Sequence, residues 1–446
     1  MPFVPTRFIH ASNLRLDHQA QGVGAVSIES QTILEDCTLE TFSHLIDACR
    51  EQEIDFLLLS GNSFIADDFS IRARIALIEG FQKLAADQIQ VFIVPGQHDP
   101  LSAWDLQYNW PANITFLSPQ DRDVIDILRE DKTIATLQIL GSANHKFSQP
   151  LKLNQRNQLF NKQEERALSI GLIVANLPIE PRDAVGNSTQ AIPLSLSDEF
   201  LPEEWRSEES NEVTVDYLAL CKGTQRHTFE MHPGVAHHPG TAQGLNFGEY
   251  EQNGVTLVTV GTEAQLEQRT LRLASVRWLV LKLNLQPEIN RSQLIQLMQE
   301  SLQSQNRGSY EKLWMIRWQF QGSGELFDSL RSFKHQSSLS NELALVVKDR
   351  LPVCIEQSFY LQTDNREHRG TQSTLSQLFQ AQLDTFKSET ELPLKQLLTQ
   401  ATHLDQNWLQ RLDSLTEQLD DQQIFNAATH NGQTWLDVSL DEEVQV

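Results

Sequence analysis

Three short apolar runs near the start of the chain restrict this sequence to few folds, because each breaks into a polar loop and a helix-patterned stretch follows the first two. Arg7 to Leu16 reads as a strand running into a loop, Ile54 to Ser60 as a buried strand, and Val91 to Val94 as another that stops at Pro95-Gly96. Between them, Leu39, Phe42, Leu45, Ile46 and Cys49 recur at helical spacing, which predicts a helix over Asp36 to Gln52. A second helix is predicted over Ser70 to Ala86, with Ser70 as its N-cap. The order βαβαβ implies an α/β fold, a sheet closed by helical crossovers. Further strands are expected at Ile134 to Leu140, Leu168 to Val174, Val213 to Leu220 and Val255 to Val260.

The pattern changes after about Gly261. Leu271 to Leu285 alternates as a strand, Ser292 to Leu302 is helical, Leu313 to Gly322 is a strand, Glu325 to Phe333 a short helix and Val353 to Leu361 a last strand. Trp314 and Trp318 read as core packing in preference to base stacking. Beyond Thr363 only helical spacing remains, in Leu375, Leu378, Phe379 and Leu383 and again in Leu404, Leu409, Leu412, Leu415 and Leu419, before an acidic end. A length of 446 residues suits two or three domains. Their expected bounds are 1–265 for the first α/β domain, 266–362 for a small α+β domain and 363–446 for a helical segment.

Charge narrows the choice of partners. The net charge of -24 repels a phosphate backbone, and basic clusters are confined to pairs such as Arg72 with Arg74 or Arg226 with His227. A free-standing nucleic-acid binder is therefore disfavoured. The N-terminus lacks the basic and apolar regions of a signal peptide, and no run approaches a membrane span, so a cytoplasmic chain is expected. Cys37, Cys49, Cys221 and Cys354 show no metal-site spacing and read as free thiols of a reducing compartment.

The polar loops carry the chemistry. In a doubly wound fold, ligands bind past the carboxyl ends of the strands. Three such loops stand here: His10-Ala-Ser-Asn-Leu-Arg15, Ser60-Gly-Asn-Ser63 and Pro95-Gly-Gln-His-Asp-Pro100. In their order they resemble the signature of the calcineurin-like metallophosphoesterases, Asp-x-His, Gly-Asp and Gly-Asn-His-Asp. Ile71 to Ala85 and His237 to Glu249, followed by Gly254 to Val260, resemble further segments of the SbcD- and YhaO-type DNA repair exonucleases within that family. The similarity is close over about residues 7 to 261.

The resemblance implies a four-layer sandwich, two β-sheets flanked by helices, with a small α+β capping domain and a helical C-terminal segment. It implies a site for two divalent cations, commonly manganese, and phosphodiester hydrolysis. The expected ligand positions depart from the family pattern. Asn13 and Arg15 stand for the first Asp and His, Asn62 for the bridging Asp and Gln97 for an Asn. Val174 lies where a later His is expected, and Lys222 and Thr224 fall in place of a Gly-His-x-His motif. His98 and Asp99 alone are retained.

Close-set divalent cations repel, and anionic ligands offset that repulsion. Asn13 and Asn62 keep the shape of a carboxylate without its charge, and Arg15 brings a permanent positive charge. No cofactor is expected, and His98 and Asp99 read as remnants of a catalytic site. Three uses of the loops remain open: amides bonding their own turns, a single metal on His98 and Asp99, or an anion held by Arg15 and Lys222. His237 and His238 are adjacent on a strand and so face opposite ways, which argues against joint ligation. Asp67 and Asp68 read as a solvated loop. By resemblance, the expected role is that of an inactive or impaired repair-exonuclease homologue, dimeric, beside an SbcC- or YhaN-like coiled-coil ATPase, with DNA met through that complex. An active exonuclease with an atypical site and an anion sensor are the alternatives.

Overall fold

A computed structural model describes residues 3–24, 26–66, 70–104, 109–117, 124–142, 145–146, 166–174, 215–221, 223–231, 234–250, 253–262, 265–347 and 353–363, with 379, 382 and 383. Two compact units divide the chain, Met1–Thr363 and Asp364–Val446. The expected helix faces between Leu375 and Leu419 fall outside the described residues, apart from Phe379 and Leu383.

The first unit opens with β1 (Thr6–Ala11), α1 (Ile28–Glu51), β2 (Phe56–Ser60), α2 (Ile71–Ala86), β3 (Gln90–Val94) and β4 (Ile114–Phe116). A second group holds β5 (Ile125–Arg129), β6 (Lys132–Ser142), β7 (His145–Lys146), β8 (Leu168–Val174), β9 (Tyr217–Leu220), β10 (Arg226–Met231) and β11 (Gly234–Pro239). The chain then returns through β12 (Val255–Val260) and β13 (Leu266–Leu271). The final group is β14 (Val276–Leu285), α3 (Arg291–Gln303), β15 (Leu313–Gly322), α4 (Glu325–Ser329), α5 (Phe333–Val347) and β16 (Cys354–Thr363).

A 6-stranded sheet runs β13-β12-β1-β2-β3-β4, and a 7-stranded sheet runs β10-β11-β9-β8-β6-β5 with β7 on β6. Strand alternation sorts the apolar residues between two cores. Phe8, Phe56, Leu58, Phe92 and Val94 face the second sheet, where they meet Ile134, Leu168, Ile170 and Tyr217. Ile9, Leu57, Leu59, Val91 and Ile93 face α1 and α2, against Phe42, Leu45, Leu77 and Phe81. Both faces are covered, which is why these runs are almost continuously apolar. The layers are thus helix, sheet and sheet; the fourth, helical layer implied by the resemblance is not found among the described residues.

Ser70 caps α2 by accepting from the Ala73 N–H. The first helix begins at Ile28, capped by Ser27, well before the expected Asp36. Its extra turns are held by tertiary contact, since Leu34 and Cys37 pack on Val276, Trp278, Leu313 and Met315. The single strand expected over Leu271–Leu285 is two, β13 in the first sheet and β14 in a third, because the chain changes sheet at Arg272–Ser275. The helix expected over Glu325–Phe333 is likewise two, α4 and the longer α5.

That third sheet is parallel, in the order β14-β15-β16. Trp314, Ile316, Trp318 and Phe320 pack under its helices, while Leu313 and Met315 face α1. The indoles find acceptors in Glu311 Oε2 at 2.7 Å and Gln357 Oε1 at 3.0 Å, so both tryptophans serve the core. Cys37, Cys49, Cys221 and Cys354 are free thiols, the first three buried. Among the described residues no helix is long and apolar enough to cross a membrane.

Candidate functional site

Strands β1, β2 and β3 are mutually parallel, so their carboxyl ends open on one edge of the sheet. The first two loops are joined by backbone bonds: Asn13 N–H to Gly61 O at 3.1 Å, Arg15 N–H to Asn62 O at 3.0 Å, and Leu16 N–H to Ser63 O at 2.9 Å. Following each other this closely requires left-handed backbone, with φ of 49° at Asn13, 44° at Arg15 and 54° at Asn62. Asparagine tolerates that region, whereas arginine needs its surroundings to hold it there.

Asp99 ties the third loop to the second. Its carboxylate accepts from the N–H groups of Asn62 and Ser63, both at 2.8 Å, and of Gly96 at 2.7 Å. The residue is fully buried, and burial pushes its carboxyl up to about 6, against the opposing pull of those three N–H groups. Gly96 is needed for this approach: a Cβ there would lie 2.5 Å from the Asn62 nitrogen and 2.8 Å from the carboxylate.

Side-chain amides complete the junction. Asn13 Nδ2 donates to Gly223 O at 2.7 Å and Asn13 Oδ1 accepts from Asn62 Nδ2 at 2.8 Å. Asn62 Oδ1 in turn accepts from the His98 N–H at 3.1 Å. Donor meets acceptor at every step, and four loops are linked, those after β1, β2, β3 and β9. A pair of carboxylates in these two places offers no donor and could not form this chain.

Arg15 turns away from the amides. Its guanidinium makes a forked pair with Glu249, at 2.8 and 2.7 Å, and a third bond to Gln243 O at 3.1 Å. Both side chains are largely buried, at 14% and 11% exposure. Its charge is therefore neutralised within the protein, and the anion-holding use of Arg15 is not the arrangement seen. Lys222, its expected companion, lies outside the described residues, as do Asp67 and Asp68.

The remaining expected positions also lie at strand ends. Gln97 and His98 are exposed at the third loop, Val174 is buried at the end of β8, and Thr224 is exposed after β9. Of the retained pair, Asp99 is a structural acceptor and His98 contributes backbone to the junction. Among the described residues no three His, Cys, Asp or Glu side chains converge as metal ligands. Asn13 and Asn62 use their oxygens as acceptors, Asp99 is enclosed by N–H groups, and the Arg15 guanidinium donates to Glu249. This donor set does not fit two divalent cations, which take anionic oxygens and neutral imidazoles.

Glu249 and Gln243 were not legible as site residues, since their role depends on a chain return some 230 positions away. A second polar group lies behind the site, between the sheets. His10 Nε2 contacts Ser60 Oγ at 2.7 Å and Nδ1 contacts the Tyr217 hydroxyl at 2.9 Å. His237 lies between the hydroxyls of Thr228 and Thr256, at 2.8 and 2.7 Å, while His238 contacts Gln225 O at 3.0 Å. The two neighbours have separate partners, so they do not share a ligand. Burial holds all three imidazoles neutral, lowering His237 to about 3, His238 to about 4 and His10 well below its ordinary range.

A two-sheet α/β core with loops gathered at the ends of parallel strands defines the architectural class. The chain is a distant homologue of the Bacillus subtilis (strain 168) protein named uncharacterized metallophosphoesterase YhaO, 24% identical over 297 residues, spanning 66% of this chain and 67% of that protein. No family model matches the chain. Among solved structures, TT1561 of Thermus thermophilus matches at 13% identity over 60% of this chain and 99% of its own, with a TM-score of 0.31. A dimetal phosphatase from Danio rerio matches at the same identity and coverage, with a TM-score of 0.33.

Proposed function

We propose that this chain is a catalytically silent metallophosphoesterase homologue that acts as a scaffold subunit beside an SbcC- or YhaN-like coiled-coil ATPase in processing DNA double-strand breaks. The observation that carries the silent reading is the closed chain of neutral donors and acceptors through Asn13, Asn62 and His98. A metal-bound water has its pKa brought from 15.7 down to about 7, and hydrolysis by such sites depends on that nucleophile. Here the strand-end amides of Asn62 and Asn13 bond each other and so are not free to hold a cation that would activate such a water.

The scaffold part rests on the resemblance of the Ile71–Ala85 and His237–Glu249 segments to repair exonucleases. The charge of -24 suits a subunit that meets DNA through a basic partner. Purified chain incubated with linear duplex and Mn²⁺ is expected to leave the duplex uncut, and the cognate ATPase is expected to co-purify with it. Manganese-dependent cleavage that disappears in His98→Ala would overturn the silent reading. Failure of the two proteins to associate would overturn the scaffold reading.

A further inference from the structure

The residues at the expected metal positions have partners beyond one another. They connect the strand-end loops to the third sheet. Glu249 Oε2, besides pairing with Arg15, accepts from the Leu245 N–H at 3.0 Å, and the Leu245 carbonyl accepts from Gln21 N–H at 2.8 Å. Gln243, whose carbonyl accepts from Arg15, is almost fully buried and uses its whole amide. Its Oε1 accepts from Thr41, Ser275 N–H and Val276 N–H, while Nε2 donates to Gly244 O and Val276 O. Trp278 Nε1 donates to Gly244 O at 2.7 Å. A continuous polar path thus runs from Asn62 and Asn13, through the first loop and Arg15, into the 243–249 loop and on to β14.

We propose that the Arg15–Glu249 pair, with the Asn13–Asn62 amide contact, replaces a metal centre as the cross-link of this site, holding the strand-end loops together and to the third sheet with no cation. The proposal rests on the metal-free reading of the site and adds a structural role to it. A forked, mostly buried guanidinium–carboxylate pair suits such a cross-link, since two parallel bonds fix its orientation and removing one partner strands the other charge away from water.

Thermal unfolding of the full chain tests the idea without reference to activity. Excess Mn²⁺ or EDTA is expected to shift the midpoint by less than about 1 °C, because a ligand stabilises a fold only by binding the native state. Arg15→Ala and Glu249→Ala are each expected to lower the midpoint by several degrees, and the double variant to lower it no further than the worse single. If the alanine variants do not fold, Arg15→Lys, which keeps the charge and loses the fork, and Glu249→Gln, which keeps one acceptor oxygen, provide a milder form of the comparison. Hydrogen exchange at the Arg15 and Leu16 amides, protected by Asn62 O and Ser63 O, should speed up in each variant. A midpoint raised several degrees by Mn²⁺, or single effects that simply add, overturns the proposal. Because ATPase co-purification is scored separately, loss of the cross-link and loss of the scaffold role are distinguishable.

Discussion

At Asn62 the side-chain oxygen accepts from the His98 N–H while the nitrogen donates to Asn13 Oδ1, so the residue needs both halves of its amide. Asn62→Asp removes the donor and sets a negative charge against the Asn13 oxygen. A loss of about 1–3 kcal/mol is expected, the range for leaving a polar partner unmet, measurable as a lower urea midpoint. An unchanged midpoint would mean that the amide chain contributes nothing to stability. Gly96→Ala should be at least as damaging, since its Cβ would press on the Asn62 backbone nitrogen as well as on a side chain that could move. Both expectations follow from the same local fact, that two strand-end loops approach within hydrogen-bonding distance around a buried carboxylate.

Between the two sheets, β1, β9 and β11 bring His10, Tyr217 and His237 together, with ring centroids 6.1 Å apart for the two histidines. The groups facing them are Ser60, Tyr217, Thr228 and Thr256, with Arg226 and His238 as charged or titratable neighbours of His237, and Arg226 and His227 of His238. A histidine whose folded pKa is depressed takes up its proton on unfolding. Its contribution is therefore intact above the unfolded value of about 6.5 and is lost as pH falls toward the folded value, at about 1.4 kcal/mol per pH unit for each proton. For His237 and His238 that window closes at about 3 and 4. Asp99, raised to about 6, works in the opposite sense between the ordinary carboxylate range and its folded value, but it is one group against three. Stability should accordingly fall between about pH 6.5 and about 4.5, with net proton uptake on unfolding. His237→Gln should be weaker at about pH 7 yet show a shallower acid limb; an acid limb as steep as that of the unaltered chain would remove His237 from the account.

At the scale of the whole chain, Met1–Thr363 forms one compact unit and Asp364–Val446 another. The first contains both sheet cores and the packed third sheet. Leu404, Leu409, Leu412, Leu415 and Leu419 share helical spacing in the sequence, and an acidic end follows. Removing 400–446 is expected to leave the melting midpoint unchanged and to abolish ATPase binding, with the acidic end favouring a basic partner surface. A midpoint lower by several degrees would place that helix in the core of the remaining chain. An unchanged midpoint together with unchanged binding would remove the segment from the docking role.

The strand–helix order of the first hundred residues, the Ser70 cap and the position of each polar loop were legible from periodicity, because strands buried on both faces and amphipathic helices impose their own repeats on a sequence. That Asn13 and Asn62 bring no charge to the strand-end loops was legible too, since it is visible in the residue itself. What those amides do instead was not. Asn13 meets a carbonyl 210 positions away, Arg15 meets Glu249, and Leu34 in the added turns of α1 packs on the third sheet. Likewise the break at Arg272–Ser275 carries no turn signal; β13 pairs with β12 in the first sheet and β14 with β15 in the third, a change of partner that local periodicity does not record. Local repeats dictate which segments become strands and helices, whereas a hydrogen bond between distant loops depends on how the layers close, and only the folded chain specifies that.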